Sequence, residues 1–283
     1  MTDPRKLAAE RRDGAVERAF AVLEALVREG ANTSLASIAA GAALPRPTTH
    51  RLLQTLISLG YARQPGEGLY SPGLKLLRLA TRVQETLDSA ELARPFMREL
   101  QELLPETVHF ALLQDDHAVY IEKLEGRRAY RMASTVGMPV ALHCTAIGKA
   151  ILAHLPAEDR LQRLGAGPLP RRTWRTVTSI EELDIELARV RQSGYAVDDE
   201  ENEEQIRCLG AAVFDHKGNV IGALSLSSPA FALPLEVAHD LGPALVLAAA
   251  DISLSLGARV DQLPDVYAEV LAGDERVVAP GER

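Results

Sequence analysis

The chain has 283 residues, 47% of them hydrophobic and 25% charged, with two cysteines and a formal net charge of −8. This composition is typical of globular domains, the length suffices for two of them, and two cysteines exclude a disulfide framework. No apolar run reaches the roughly 18 residues of a membrane span, and the basic N-terminus has no apolar segment behind it, so we expect a cytoplasmic protein without a membrane partner.

The charge is distributed unevenly along the chain. Residues 1–80 hold 11 Lys and Arg against 7 Asp and Glu, a net charge of +4, and the remainder carries −12. A basic front and an acidic rear indicate two parts with different partners. Only the front part has a charge suited to phosphate groups.

Two short helical segments lie close together near the N-terminus. After an amphipathic helix over Val16–Arg28, Ser34 is placed to cap a helix that ends near Gly41. A second helix starts at Pro45–Pro47, where proline is tolerated because its missing N–H would have no intrahelical partner, and it runs to Gly60. Two helices joined by a tight turn predict a helix-turn-helix.

The second helix has a polar face that suits DNA. At 100° per residue, Thr49 lies on the inward side, Thr48 and Arg51 point outward, His50 lies near the boundary and Arg46 stands at the leading end. Arginine can bind guanine in a bidentate manner, and threonine can meet a base or a thymine methyl. The alternative is an ordinary helical hairpin with a solvated charged face.

A β-hairpin follows, which favours the DNA-binding interpretation. Residues 61–63 and 69–70 are short extended segments around a Pro/Gly turn, a wing from which Arg63 can reach a phosphate. Residues 71–73 close this domain. Helices are then predicted over Leu74–Leu87, as a linker, and over Leu92–Leu104.

The rear part mixes strands and helices, which predicts an α+β domain of the sensing type. We expect the sequence to end in a tail beyond Val260. Strands are predicted over 107–113, 118–124, 129–134, 195–197, 208–215 and 220–227, and helices over 145–155, 180–192 and 235–256.

Three features of this part could bind a ligand. A loop runs into a helix whose first turn holds Thr145, where free N–H groups favour an anion, although a simple N-cap is the commoner explanation of such a helix start. Ser225 and Ser227 share one strand face, so they either bind a ligand or bond the neighbouring strand. The acidic run 195–204 is a solvated loop or a set of carboxylates that caps a pocket.

Metal and covalent chemistry have little support. Cys144, His143, Cys208 and the Asp198–Asp199 pair lack the spacing of a zinc site, and a buried cysteine is commonly an inert small hydrophobe. The sequence has no phosphate loop, dinucleotide fingerprint or nucleophile elbow. We therefore predict neither a metal site nor a cofactor.

Several separated segments resemble the IclR family of bacterial transcriptional regulators. Together they cover roughly residues 14–258, and their order and spacing are specific. The segments are Leu35–Ala39 with Leu44–Leu56, Leu69–Gly73, His143–Ala153, Gly194–Glu201, Arg207–Asp215 and Ala223–Ser227.

The resemblance implies a winged helix-turn-helix at 14–73, a linker helix at 74–88, a GAF-like effector-binding domain at 89–260 and a tail at 261–283. It implies a homodimer or homotetramer on palindromic double-stranded operator DNA, controlled by a small organic acid, often aromatic or a 2-oxo acid. The residues expected to meet DNA are Ser34, Arg46, Thr48, His50, Arg51 and Arg63. The family's effector pocket maps onto Ala146, Ile147, Asp198, Cys208, Ser225 and Ser227.

Some positions depart from the family's pattern. Ala43 stands where the helix-turn-helix turn has glycine, Pro47 replaces a common serine, and Ala146 and Ile147 replace a glycine-containing helix start. The glycine before the Arg-Cys pair is replaced around Gln205. We expect the turn at Ala43 to survive with a modest strain cost.

The main hypothesis is a ligand-responsive DNA-binding regulator and not an enzyme. One rival is a hydrolase of small acids that uses Cys208 and nearby carboxylates, with a helical adaptor domain. Another is a protein–protein interaction module that docks through the winged domain.

Overall fold

The computed structural model describes residues 14–79, 88–103, 105–127, 130–165 and 167–274. The chain separates into two compact units, Met1–Leu87 and Asp88–Arg283. The first unit contains α1 (Ala15–Glu29), β1 (Thr33–Ser34), α2 (Leu35–Gly41), α3 (Arg46–Ser58), β2 (Ala62–Gly66) and β3 (Leu69–Pro72). The second contains α4 (Ser89–Leu103), β4 (Thr107–Gln114), β5 (His117–Leu124), β6 (Pro139–Val140), α5 (Ala146–Ala153), α6 (Ala157–Leu164), α7 (Ile180–Ser193), β7 (Tyr195–Asp199), β8 (Ile206–Phe214), β9 (Val220–Pro229), α8 (Leu235–Ser255), a 3₁₀ turn (Val260–Gln262) and α9 (Asp265–Gly273).

The first unit is a winged helix-turn-helix. Its three helices enclose a small core that includes Val22, Leu26, Ile38 and Leu53. Strands β2 and β3 form the antiparallel wing, and β1 adds a third strand to β3. The predicted linker helix is helical over the described residues 74–79, and 80–87 lie outside the described residues.

The second unit is built on a six-stranded antiparallel sheet in the order β6-β5-β4-β9-β8-β7. Helices α5 and α8 both pack against β8, and α4 packs against α8. The observed strands agree with five of the six predicted ones to within about two residues at most ends. This architecture confirms the predicted fold, an N-terminal helix-turn-helix unit with a C-terminal α/β domain.

Helix α8 is long and apolar enough to cross a membrane by length and composition alone. In this fold it serves as a core helix, because Leu245, Val246, Ala249 and Ile252 are buried. The Ser253 hydroxyl also accepts the backbone N–H of Phe214 at 3.0 Å, which ties the helix to the sheet.

Two predictions for this unit are wrong. The predicted strand 129–134 is not one over its described residues, 130–134, because the carbonyls of Met132 and Ser134 accept hydrogen bonds from Lys123 Nζ at 2.8 and 2.6 Å. The predicted tail beyond Val260 contains α9, which packs on the core. Tyr267 is fully buried there, and its hydroxyl donates to the Ala212 carbonyl at 2.9 Å.

Candidate functional site

Helix α3 presents the polar face that the sequence predicts. Arg46, His50 and Arg51 are exposed, and Thr48 is half-buried. Thr49 is buried, and its hydroxyl donates to the Pro45 carbonyl at 3.1 Å. The helix therefore offers two guanidinium groups and an imidazole to solvent near its N-terminus, the end that enters a major groove in helix-turn-helix proteins.

The turn before α3 is strained at one position. Ala43 has a φ of 55°, in the left-handed region, where an L-residue other than glycine is disfavoured. Its N–H and that of Leu44 bond the carbonyls of Ala40 and Ala39 at 3.1 and 3.0 Å, which closes the turn.

The two remaining predicted DNA contacts lie on either side of this motif. The Ser34 hydroxyl caps α2 by accepting the N–H of Ser37 at 3.2 Å, and Ser34 is itself exposed. Arg63 is exposed on strand β2 of the wing. All six predicted DNA-contacting residues are thus at least partly accessible in this unit.

The second unit encloses a cavity of about 140 Å³, which we call the effector cavity. Its walls come from β4, β5, β6, β8, β9, the loop before β6, the start of α5 and two further loops. The lining residues are His109, Tyr120, Met132, Ala133, Ser134, Met138, Pro139, Val140, Ala141, Thr145, Arg172, Asn202, Glu203, Ile206, Cys208 and Ser227.

The structure brings two of the six predicted effector residues to this cavity, Cys208 and Ser227, which face each other on β8 and β9. Ser225 is buried opposite His109 and does not line the cavity. Ala146 and Ile147 are also buried behind the wall. There α5 starts in close contact with Gly210, at which a Cβ would lie 2.4 Å from the Ala146 carbonyl oxygen.

Asp198, the sixth predicted residue, supports the wall from behind. It pairs with Cys208 across β7 and β8, and its Oδ1 accepts the backbone N–H groups of Glu201 and Asn202 at 2.8 and 3.3 Å. Burial raises the pKa of Asp198 to about 7, and the Glu201 carboxylate adds to this effect. Asp198 thus shapes the turn that places Asn202 and Glu203 on the cavity wall.

The sequence reasoning missed a polar cluster next to Ser227, whose hydroxyl lies 3.5 Å from His109 Nδ1. His109 Nε2 lies 2.7 Å from the Ser134 hydroxyl, and its ring stacks on Tyr120 with centroids 4.6 Å apart. Burial and the nearby Lys123 lower the pKa of His109 to about 3, so the imidazole is neutral. Strand alternation could have found His109, because it faces Ser225 in the register of β4 and β9.

Arg172 is the one cationic residue on the cavity wall and was also missed. It lies in an irregular loop and is exposed, and its guanidinium makes no hydrogen bond or ion pair with any residue that the structure describes. Two residues further along, Trp174 is 70% exposed and stacks on Arg175, whose guanidinium pairs with Asp199. A free guanidinium beside hydroxyl groups suits a carboxylate ligand.

The two cysteines have the properties of inert thiols. Burial raises the pKa of Cys208, and it raises the pKa of Cys144 to about 12. A thiol is a nucleophile only as the thiolate, so neither group is activated at neutral pH. Within the described ranges, no three His, Cys, Asp or Glu side chains are grouped to hold a metal ion.

Comparison with known proteins gives two family matches. Residues 15–66 match the IclR helix-turn-helix domain, and residues 81–254 match the C-terminal domain of bacterial transcriptional regulators of the IclR type. The chain is 37% identical over 243 residues to the HTH-type transcriptional regulator KdgR of Escherichia coli K12, covering 86% of this chain and 92% of that protein. It is 32% identical over 243 residues to the transcriptional repressor IclR of the same organism, covering 85% and 89%.

Solved structures agree with these matches. An IclR transcriptional regulator from Silicibacter superposes with a TM-score of 0.74 at 26% identity, covering 87% of this chain and 97% of the other. The Agobacterium tumefaciens repressor BlcR superposes with a TM-score of 0.72 at 25% identity, covering 88% and 99%. These relatives regulate transcription, so the prediction of a regulator and not an enzyme is confirmed. The chain belongs to the IclR family of bacterial transcriptional regulators, with a DNA-binding and an effector domain.

Proposed function

We propose that this IclR-type regulator binds a palindromic operator as a homodimer or homotetramer in the cytoplasm and is controlled by a small organic acid. The observation that supports an organic acid as the ligand is the free guanidinium of Arg172 in the effector cavity. Each part of the proposal rests on separate residues, and each has its own test.

DNA binding by α3 is supported by its exposed basic residues and by the net charge of +4 over residues 1–80. Arg46 and Arg51 would meet base edges or phosphates, while Ser34 and Arg63 would bind phosphates on either side. A two-fold dimer that reads adjacent major grooves requires half-sites about one helical turn apart, roughly 34 Å.

An organic acid fits the effector cavity in size and charge. A volume of about 140 Å³ is below the roughly 300–1,000 Å³ of pockets for drug-sized ligands, so it favours an acid with few heavy atoms. Arg172 can pair with the carboxylate, since it makes no ion pair with Glu203 on the same wall. The hydroxyls of Ser134 and Ser227 can bond the polar groups of the acid.

A gel-shift assay with the intergenic region beside its own gene tests DNA binding. We expect a shifted band that weakens as salt is raised, because phosphate contacts release counterions. Arg46→Ala and Arg51→Ala should each cost about 1–3 kcal/mol of binding free energy if the side chain reads a base. Arg28→Ala on α1 is the matched control, as it removes an exposed arginine outside the motif. If the folded protein binds no DNA fragment at low salt, the proposal of DNA binding is contradicted.

A thermal-shift screen of small mono- and dicarboxylates tests the effector class, since a ligand that binds the native state raises its stability. Arg172→Gln should remove the stabilisation by the best acid. Arg171→Gln, a neighbouring exposed arginine that does not line the cavity, should retain it. Equal stabilisation of both variants would show that Arg172 does not bind the acid.

A further inference from the structure

We propose that a second cavity of the same unit, separate from the effector cavity, binds a small zwitterionic amine of the amino-acid class. This amine cavity has a volume of about 540 Å³ and lies along the edge strand β7. Its lining residues are Lys149, Glu186, Arg189, Val190, Gln192, Ser193, Tyr195, Val197, Asp199, Glu201, Leu235 and His239.

A buried charge cluster forms one wall of the amine cavity. The Lys149 side chain is 2% exposed, and its ammonium donates to Glu186 Oε2 at 2.8 Å and to Glu201 Oε1. Two carboxylates thus share one ammonium. A buried charge is costly unless it is paired and hydrogen-bonded, so the second carboxylate favours a further cation.

The second oxygen of Glu201 points to a ligand. The Glu201 side chain is 7% exposed, and its Oε2 is buried without a hydrogen-bond partner among the described residues. Burial raises the pKa of Glu201, and the Lys149 ammonium is the main influence that opposes this shift. The backbone amide of Asp199 opposes it more weakly, without reaching hydrogen-bond geometry with Oε2. Buried carboxylate oxygens are normally satisfied, so a donor such as an ammonium group fits here.

The other walls fit the remainder of an amino acid. Arg189 lies one turn from Glu186 on α7 and is exposed, and its guanidinium makes no ion pair or hydrogen bond within the described part of the chain. It can therefore take a carboxylate. Val190, Val197 and Leu235 add apolar surface for an aliphatic side chain. Among the charged lining residues, Lys149 and Arg189 balance Glu186 and Glu201, and Asp199 is neutralised by its ion pairs with Arg175 and Arg207. This favours a ligand of zero net charge over an ion.

The amine cavity and the effector cavity share structural elements without sharing lining residues. On α5, Lys149 follows Thr145 of the effector cavity by one turn. In the turn after β7, Glu201 faces the amine cavity, while the next two residues, Asn202 and Glu203, line the effector cavity. A ligand that fixes Glu201 would therefore also fix the turn at the effector cavity.

Isothermal titration calorimetry of the full chain with each proteinogenic L-amino acid tests the proposal. L-leucine is then compared with leucinamide, which lacks the carboxylate, and 4-methylpentanoate, which lacks the ammonium group. We expect saturable binding of at least one amino acid and none of 4-methylpentanoate to this site. Glu201→Gln should weaken amino-acid binding at least about tenfold, because it removes a charge-assisted hydrogen bond.

Glu204→Gln, in the same turn but outside the cavity, is the control and should bind as the unaltered chain does. Arg189→Gln, on the exposed rim, should weaken L-leucine but not leucinamide, and it tests the site even if Glu201→Gln fails to fold. Arg172→Gln should leave amino-acid binding unchanged, which separates this site from the effector cavity. No saturable heat with any amino acid, or equal affinities for Glu201→Gln and Glu204→Gln, would overturn the proposal.

Discussion

Asp198 shows how one buried carboxyl can shape a binding wall without lining it. Its Oδ1 holds two backbone N–H groups of the turn that follows β7, and its pKa of about 7 keeps a large fraction protonated at neutral pH. The unfolded chain has no such environment, so its pKa there returns to near 3.8. The difference links the stability of the fold to pH.

The sign of this linkage is definite. Between about pH 4 and 7 the folded state retains a proton that the unfolded state has released, so the free energy of unfolding falls as pH rises and levels off above pH 7. The slope contributed by Asp198 reaches up to about 1.4 kcal/mol per pH unit.

Asp198→Asn should remove this pH dependence while its amide oxygen still accepts the two N–H groups. Urea unfolding at several pH values from 5 to 8 measures the effect. Relative to the unaltered chain, the stability of the variant should rise with pH and then become constant. Asp240→Asn, an exposed carboxylate, is the control with no such trend. A parallel pH profile for Asp198→Asn would refute the raised pKa.

The sequence predicts the effector residues unequally, for physical reasons. Strand alternation predicted Ser227, and it placed Ser225 on the same face although Ser225 does not line the cavity. Cys208 was assigned through the resemblance, and the strand register places it opposite Ser227. Ala146 and Ile147 were assigned through resemblance, and only the three-dimensional packing at Gly210 shows that they lie behind the wall. Arg172 lies in a loop without periodicity, so no local pattern could predict where its side chain would point.

At the scale of the element, the turn of the helix-turn-helix contains backbone strain that the sequence predicts. Ala43 adopts a left-handed conformation, and Gln205, near the second replaced glycine, has a φ of 65°. A non-glycine residue in this region costs roughly 1–2 kcal/mol, which glycine avoids at the expense of a more flexible unfolded chain.

Ala43→Gly should therefore stabilise the first unit, by about 0.5–1 kcal/mol after the entropy of the unfolded chain is counted. Denaturation followed by circular dichroism measures the change. Ala40→Gly, at an exposed position inside α2, is the matched control and should destabilise by about 0.5–1 kcal/mol. If both variants lose stability equally, Ala43 carries no strain.

Element prediction failed where side chains or tertiary contacts overrode local patterns. Residues 130–134 were predicted to be extended, but Lys123 Nζ donates to the carbonyls of Met132 and Ser134, which a neighbouring strand would need. Helix α9 has only nine residues, and its buried Tyr267 bonds a strand carbonyl distant in sequence. Such contacts cannot be read from the periodicity of a short segment.

At the scale of the whole molecule, the proposed function joins two binding equilibria in one chain. An effector alters DNA affinity only if it binds one arrangement of the protein more tightly than the other. By linkage, operator DNA must then change effector affinity by the same factor, typically about 5–150-fold.

This reciprocity can be measured directly. The effector identified by thermal shift is titrated calorimetrically into the free protein and into the protein–operator complex, and the gel shift is repeated at saturating effector. The two factors should be equal within error. Arg172→Gln should show no effect of the acid on DNA binding. An acid that binds tightly yet leaves DNA affinity unchanged would be a ligand without a regulatory function.

The position of Trp174 gives this protein a built-in optical reporter. It is the only tryptophan in the sequence, it is 70% exposed, and it lies two residues from Arg172 and against Arg175. Intrinsic fluorescence excited at the indole band therefore comes from the effector domain alone. Ligand capture by Arg172 should change the intensity or wavelength of this emission, so binding can be followed in real time without a label.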